Sequence, residues 1–325
     1  MGQTTPFDPA FKTGSIEEAR QEINERQDLR PLSATITSLA LVQCIEETDR
    51  RNLSRQVDAC HTLYPVEKIS VHEVAGATVA VTPARFGQKL NVVRGLGMRG
   101  PVSGDDLRRI ELLYSDVGLS TTIDLCPYVE QSLLQLLAAR GYKVKLFMNA
   151  YIRSLDDIDI HNIVDAPSAD RQEDMSVVIS PVKHDEHEEF VRCSVDGFRD
   201  NGRSTELLGT LARVAIRRAD TSLYFVKVNG EAAGTGAMAL IDTDYGRVAY
   251  LYLDSTIPKY RGRGLHIALD RERLLDARKL GCHLAVVTVK MGNASGRNAE
   301  RLGFRVAYTK AYFQKELSFT EELKE

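Results

Sequence analysis

The chain has 325 residues, with 42 Lys and Arg against 45 Asp and Glu and a formal net charge of -3. That length predicts two ordinary domains, and the balanced charge argues against nucleic acid or an anionic membrane as partner. No apolar run approaches the roughly 20 residues of a membrane span, and the five scattered cysteines form neither a CxxC pair nor a Cys/His cluster, so a reduced, cytoplasmic protein without metal is expected.

Residues 1–32 are polar, lack the apolar centre of a secretory signal, and carry Pro6 where a myristoylation signal needs Ser or Thr. They read as an arm, with a short helix capped by the "SIEE" box of Ser15 and Glu18. Residues 33–155 form a first domain. A helical pattern through Leu39, Leu41, Val42, Ile45, Leu53 and Val57 precedes the β-type runs "KISVHEV", "ATVAVTP" and "KLNVVRGLGM". Then come an acidic-start helix "SGDDLRRIELLYSDV", a strand "STTIDL", a helix "VEQSLLQLLAARG" and a strand pair "YKVKLFMNAYIRSL". The polar run 156–173 is a linker by composition.

Residues 174–325 restart the same order. Strand "MSVVISPV", helices across 184–218 and strands "SLYFVKVNG", "EAAGTGAMALID" and "RVAYLYLDST" lead into "IPKYRGRGLHIALDRERLLDAR". Strand "HLAVVTV", helix "ASGRNAERLG" and the strands "FRVAYTKAYFQKEL" follow. The two halves end alike: "LLAARGYKVKLFMNAYIRSL" lies over "NAERLGFRVAYTKAYFQKEL" without a gap, pairing Gly141 with Gly303, Tyr151 with Phe313 and Leu155 with Leu317. This pattern predicts a duplication.

The junction "KYRGRGLH" puts Gly262 and Gly264 where a strand gives way to a helix, with Arg261 and Arg263 beside them and no carboxylate. Helix N-termini present unpaired amides and positive potential, and glycines remove the Cβ atoms that block an approaching phosphate. The first-half junction "GMRGPVSGDDLRRIELL" differs: Pro101 removes a donor, and Asp105 and Asp106 fill the first turn. No coenzyme is expected there. "GLGMRG" matches GxGxxG but lacks the context of a dinucleotide fold, and His184 and His187 in "KHDEHEEF" lack a third metal ligand.

"TIPKYRGRGLHIAL" followed by "ASGRNAERLGFRVAYTK" resembles the GNAT acyltransferase superfamily, whose coenzyme loop reads Gln/Arg-x-x-Gly-x-Gly/Ala. Lys259 stands at the Gln/Arg position, and Gly262 and Gly264 match the glycines. The match covers roughly Met175 to Leu317, and the first half is similar only in element order and closing segment. The resemblance implies an α+β fold of two tandem GNAT-like modules, each a mixed, mostly antiparallel sheet flanked by helices, the first degenerate and the second binding acetyl-CoA. It further implies a cofactor arm along Asp254, Ser255 and Thr256, its diphosphate on Arg261, Gly262, Arg263, Gly264 and Leu265, and its thiol near Ser295 and Asn298. Phe198, Arg199, Arg203 and Tyr250 become substrate-side candidates for a small-molecule amine, in a monomer or homodimer.

Direct acyl transfer needs a base, an oxyanion partner and an acid for the leaving thiolate. Alternation along "VAYLYLDST" places Tyr250, Tyr252 and Asp254 on one face, with Leu251 and Leu253 on the other. Many members carry a glutamate base on this strand, and a tyrosine acid four residues before the Gly-Phe glycine. Here the strand has no glutamate and that position is Ala299. Asp254, Tyr252 and Tyr308 are the catalytic candidates in their place. The departures keep three alternatives open: a GNAT-fold acyl-CoA decarboxylase, an O-acyltransferase and a non-catalytic CoA-binding protein.

Overall fold

The computed structural model describes residues 37–155 and 175–317. The arm with its Ser15 box and the linker lie outside the described residues. The first half runs α1 (Leu39–Leu63), β1 (Ser70–Val74), β2 (Ala77–Val81), the short helix α2 (Gly87–Leu90), β3 (Val93–Arg94), α3 (Gly104–Ser115), β4 (Thr121–Leu125), α4 (Gln131–Ala139) and β5 (Lys143–Ser154). In the second half, β6 (Val177–Pro181), α5 (His187–Gly197), α6 (Thr205–Arg217), β7 (Thr221–Val228), β8 (Glu231–Thr243) and β9 (Gly246–Thr256) come first. They lead into α7 (Leu265–Lys279), β10 (Leu284–Lys290), α8 (Ala294–Arg301) and β11 (Arg305–Lys315). The two closing strand pairs expected from sequence are single long strands, β5 and β11, each accommodated by a bulge.

Among the described residues, eleven strands form one sheet, in the order β1-β2-β3-β4-β11-β5-β10-β9-β8-β7-β6. The two halves exchange their last strands: β5 pairs antiparallel with β10, and β11 with β4. At the centre β5 and β11 pair with each other, and Lys310 faces Met148, its own counterpart in the duplicated segment. The rest of the register repeats around that pair. Arg305 faces Ile152 as Gln314 faces Lys143, Val306 faces Tyr151 as Phe313 faces Val144, and Tyr308 faces Ala150 as Tyr312 faces Leu146. The bulges at Ala307 and Lys145 are equivalent as well. A local two-fold axis therefore passes through the middle of the sheet, the geometry a duplication leaves when each copy lends a strand to the other.

Strand alternation sorts the core onto two faces. Met238 and Leu251 pack with Leu265 and Leu269 of α7 and with Leu302 just after α8, while Ala239 and Tyr250 pack with Val42 and Ile45 of α1. In the first half Val79 and Ile123 bury Leu107 and Leu133 of α3 and α4. Phe86 and Leu90 meet Leu207 and Val214 of α6, so the first half reaches across to the second half's helices.

A charged cluster lies beneath α1 at the local axis. Lys310 is fully buried, with its Nζ 3.0 Å from Glu46 and Asp49 and 3.2 Å from Asp124, and Arg94 lies 3.3 Å from Asp49. Three carboxylates thus meet two cations. Burial raises the Glu46 and Asp124 carboxyls above their usual range, whereas at Asp49 the adjacent Arg94 and Lys310 outweigh burial and hold the carboxyl down.

Candidate active site

The parallel pairing of β9 with β10 is brief: Val248 to Tyr250 against Leu284 to Val286. Beyond it the strands part, leaving the β9 edge from Leu251 to Thr256 unpaired on the β10 side, while the other edge stays on β8 through Gly234 and Thr235. A register shift opposite Gly236 accompanies the split, with Leu253 in the left-handed region at φ 61°. That bulge corrects the expected alternation. Tyr250 and Tyr252 face α1, Leu253 joins the core under α5 and α6, and Asp254 emerges on the opposite face against α7. An inserted residue re-aims every side chain after it.

At the mouth of the split, Gly262 (φ 77°) and Gly264 (φ 74°) turn the chain into α7. A Cβ on either would meet nothing within 4 Å. Gly264 is the N-cap, without a side-chain capping bond and without acid in the first turn. Among the described residues, the amides of Gly262, Arg263, Gly264 and Leu265 find no acceptor. They form an open, concave row of donors at the positive end of a 15-residue helix. The equivalent start of α3 is closed: Ser103 Oγ accepts from the Asp106 amide at 3.1 Å, and Asp106 accepts the Ser103 amide at 2.9 Å.

The two arginines divide their roles. Arg261 is an internal staple, with Nε on the Thr256 carbonyl at 3.1 Å, one terminal nitrogen on the Gly197 carbonyl at 3.0 Å and the other on Asp200 at 2.8 Å. Its side chain is not aimed at the cup. Arg263 stays on the rim, its guanidinium 5.7 Å from the Tyr260 ring centre. Lys259 pairs with Glu231 at 3.2 Å.

Ser255 is buried and its Oγ lies 2.8 Å from Thr235 Oγ1, so its side chain serves packing and only its backbone borders the cleft. A Cβ on Gly197 would collide with the Ser255 side chain, which makes glycine the residue that lets α5 end against β9. Ser295 and Asn298 lie half-buried on α8, whose N-cap Asn293 makes no side-chain capping bond.

Asp254 is tied down. Its carboxylate lies 2.5 Å from Arg273, which also pairs with Asp270, and His266 lies 3.6 Å from Asp254 and 3.3 Å from Asp270. Burial opposes the imidazolium, but Asp270 and Asp254 outweigh it and raise His266 to about 9. Asp254, His266 and Asp270 bring three ligand atoms within 4.8 Å of one another, and Arg273 already bridges the two carboxylates.

Tyr308 is removed from the cleft by the strand exchange. Strand β5 intervenes between β11 and β10, and the Tyr308 hydroxyl donates to Glu46 at 2.7 Å beneath α1. Tyr252 sits 3.1 Å from Thr221 Oγ1 with the Arg218 guanidinium 5.7 Å from its ring centre, and Tyr250 is buried facing Asp49 and Thr288. Phe198 is half-buried, whereas Arg199 and Arg203 are exposed and Arg199 pairs with Asp196.

Two residues escaped the sequence reading because each comes from the other half. Tyr151 of β5 lies against α8, where a Cβ on Gly296 would be 3.0 Å from its hydroxyl, which donates to Glu300 at 2.8 Å. Lys89 of α2 keeps solvent access but lies near Arg203, and desolvation by the surrounding protein, then the like charge of Arg203, lower it to about 8.

No protein-family model matches the chain, and no curated protein matches its sequence. Solved structures do match in shape. A GCN5-related N-acetyltransferase from Kribbella flavida superposes with a TM-score of 0.54 at 14% identity, over 85% of this chain and 98% of that one. A tandem GNAT protein from the clavulanic acid biosynthesis pathway gives 0.54 at 12% identity, over 85% and 98%. The enzyme from Sphaerobacter thermophilus gives 0.50 at 14% identity, over 84% and 93%. The chain therefore has the fold of the GCN5-related N-acetyltransferase superfamily, in the tandem form with two modules.

Proposed function

We propose that the protein is an acetyl-CoA-dependent N-acyltransferase that transfers directly to a small-molecule amine. The observation that carries this reading is the row of acceptor-free amides from Gly262 to Leu265 beside an unpaired strand edge. An acyl-CoA supplies an activated acyl group, and these residues fit its non-reacting parts. Four amides and the α7 macrodipole match a diphosphate without a side-chain counter-charge. The free β9 edge matches an extended arm with amides of its own, as an added strand would. Ser295 and Asn298 are placed by this reading at the thiol end, with Phe198 and Arg203 on the acceptor side.

In this proposal the ammonium proton would leave to solvent water, or to Asp254 once that carboxylate is released from Arg273, and Tyr252, whose proton burial retains, would be a donor to the leaving thiolate. The acid role considered for Tyr308 is withdrawn, because Glu46 holds its proton outside the cleft.

Thiol release from acetyl-CoA across a panel of amines tests the activity. Gly262→Asp tests the site: it adds a Cβ and a carboxylate in the diphosphate cup, where nothing lies within 4 Å. CoA affinity should fall about 100-fold or more, roughly 3 kcal/mol, with thermal stability changed only by the strain of a left-handed aspartate. Unchanged affinity would refute the assignment. A non-catalytic CoA-binding protein is the second reading, favoured by the engaged Asp254 carboxylate and by Ala299 at the usual acid position. Saturable CoA binding with no thiol release from any pair would select it.

A further inference from the structure

A sizeable cavity lies away from this cleft, between the two halves. It encloses about 710 Å³ among α1, the β1–β2 turn at Gly76, the Gly95–Arg99 turn after β3, and the β8–β9 turn at Asp244 and Tyr245. That volume suits a metabolite-sized ligand.

Two arginines, Arg50 and Arg99, line it. Each stem runs beside a glycine in the left-handed region: a Cβ on Gly76 would lie 2.8 Å from the Arg99 Cβ, and one on Gly95 would lie 3.4 Å from the Arg50 Cδ. Both turns are therefore shaped around an arginine. Among the described residues neither guanidinium has a hydrogen bond or an ion pair.

The carboxylates of the wall are committed elsewhere. Glu46 accepts from Tyr308 and Lys310, Glu47 pairs with Arg51 and takes the Asp244 amide at 3.4 Å, and Asp244 lies 3.1 Å from Arg51. Burial and then the like charge of Arg99 lower Arg50, and the carboxylates Glu73 and Glu47 offset only part of this. The carboxylates on the wall are thus engaged by other partners, while the two guanidinium groups keep donors to offer, and an oxyanion that enters between them gains charge-assisted hydrogen bonds.

We propose that this inter-module cavity binds a small organic oxyanion, clamped between Arg50 and Arg99. The half-buried Met98 and the Tyr245 hydroxyl, which donates to Gln43, give the remaining wall a mixed character suited to a carbon skeleton behind the charged group. The first half then carries a ligand site of its own. It is separate from the coenzyme cup and independent of whether the second half transfers acyl groups.

Calorimetry on the full chain tests this, with citrate in one arm and inorganic phosphate in the other, to separate carboxylate from phosphate recognition. One site per chain is expected for at least one anion, at about 1 mM or tighter. Arg99→Gln and Arg50→Gln should each weaken it about tenfold or more, while Gly262→Asp leaves it unchanged. Arg99 is exposed, so its variant should keep the parent melting temperature without ligand. Absence of binding by both anions, or binding that both arginine variants retain in full, would overturn the proposal. Loss of binding in Gly262→Asp alone would assign the anion to the coenzyme cup and overturn it equally.

Discussion

At the scale of single residues, His266 makes stability depend on pH. Its imidazolium is raised to about 9 in the fold, from an ordinary value of 6.5. A raised group stabilises the fold in full below its unfolded value and stops doing so as pH climbs through the folded one. The melting temperature should therefore fall between about pH 6.5 and 9. His266→Asn should flatten that slope while lowering stability at pH 6. A parent protein with a level profile over this range would show that His266 stays neutral. The same neighbourhood marks a limit of reading by alternation. Asp254 was legible as the carboxylate nearest the split, but not its direction, because one left-handed residue, Leu253, changes which face it meets. Leucine gives no sequence sign of positive φ, whereas Gly262 and Gly264 advertised theirs.

At the scale of elements, the contrast between α3 and α7 was fully legible. Capping is local chemistry: Ser103 and Asp106 close one N-terminus, and glycines with no nearby acid leave the other open. Strand partners were not legible. β5 and β11 align without a gap, and although Met148 and Ile152 stand where Lys310 and Gln314 do, alternation alone does not tell which strand takes the slot beside β10; that choice is made by contacts distant in sequence. Tyr151 reaches α8 only through that exchange, packing on Gly296. Its counterpart Phe313 packs instead with the first-half core. Lys310, a polar residue in the same strand as Phe313, is buried on the local axis for the same reason. Lys310→Met reproduces Met148 at the paired position but leaves Glu46, Asp49 and Asp124 facing one cation, Arg94. Destabilisation of roughly 3–5 kcal/mol should appear in urea unfolding. A loss within about 0.5 kcal/mol would mean that the carboxyls take up protons at little cost.

At the scale of the whole molecule, strand exchange decides whether the halves are separable. Composition suggests two modules joined by a polar segment, and both halves close with the same run of helix, strand, helix and strand (α3 to β5, α7 to β11), although among the described residues the first half has no counterpart of β6 and carries the extra helix α2. Yet both sheet neighbours of β5, which are β10 and β11, belong to the second half, and removing β11 leaves β4 with β3 alone. A fragment ending at Leu155 would expose the β4 edge and both edges of β5, and the second half alone would lose the strand beside β10. Open apolar edges of that length promote aggregation. Each fragment expressed alone should therefore be insoluble or lack a cooperative transition. A chain cut between Leu155 and Met175, with both pieces made together, should co-purify as a one-to-one complex with a single unfolding transition. The cut does not touch the exchanged strands, so their ladders would hold the pieces together as a two-chain protein. Either half folding alone to a soluble state with a sharp transition would show that the exchange is dispensable and that the modules are independent domains.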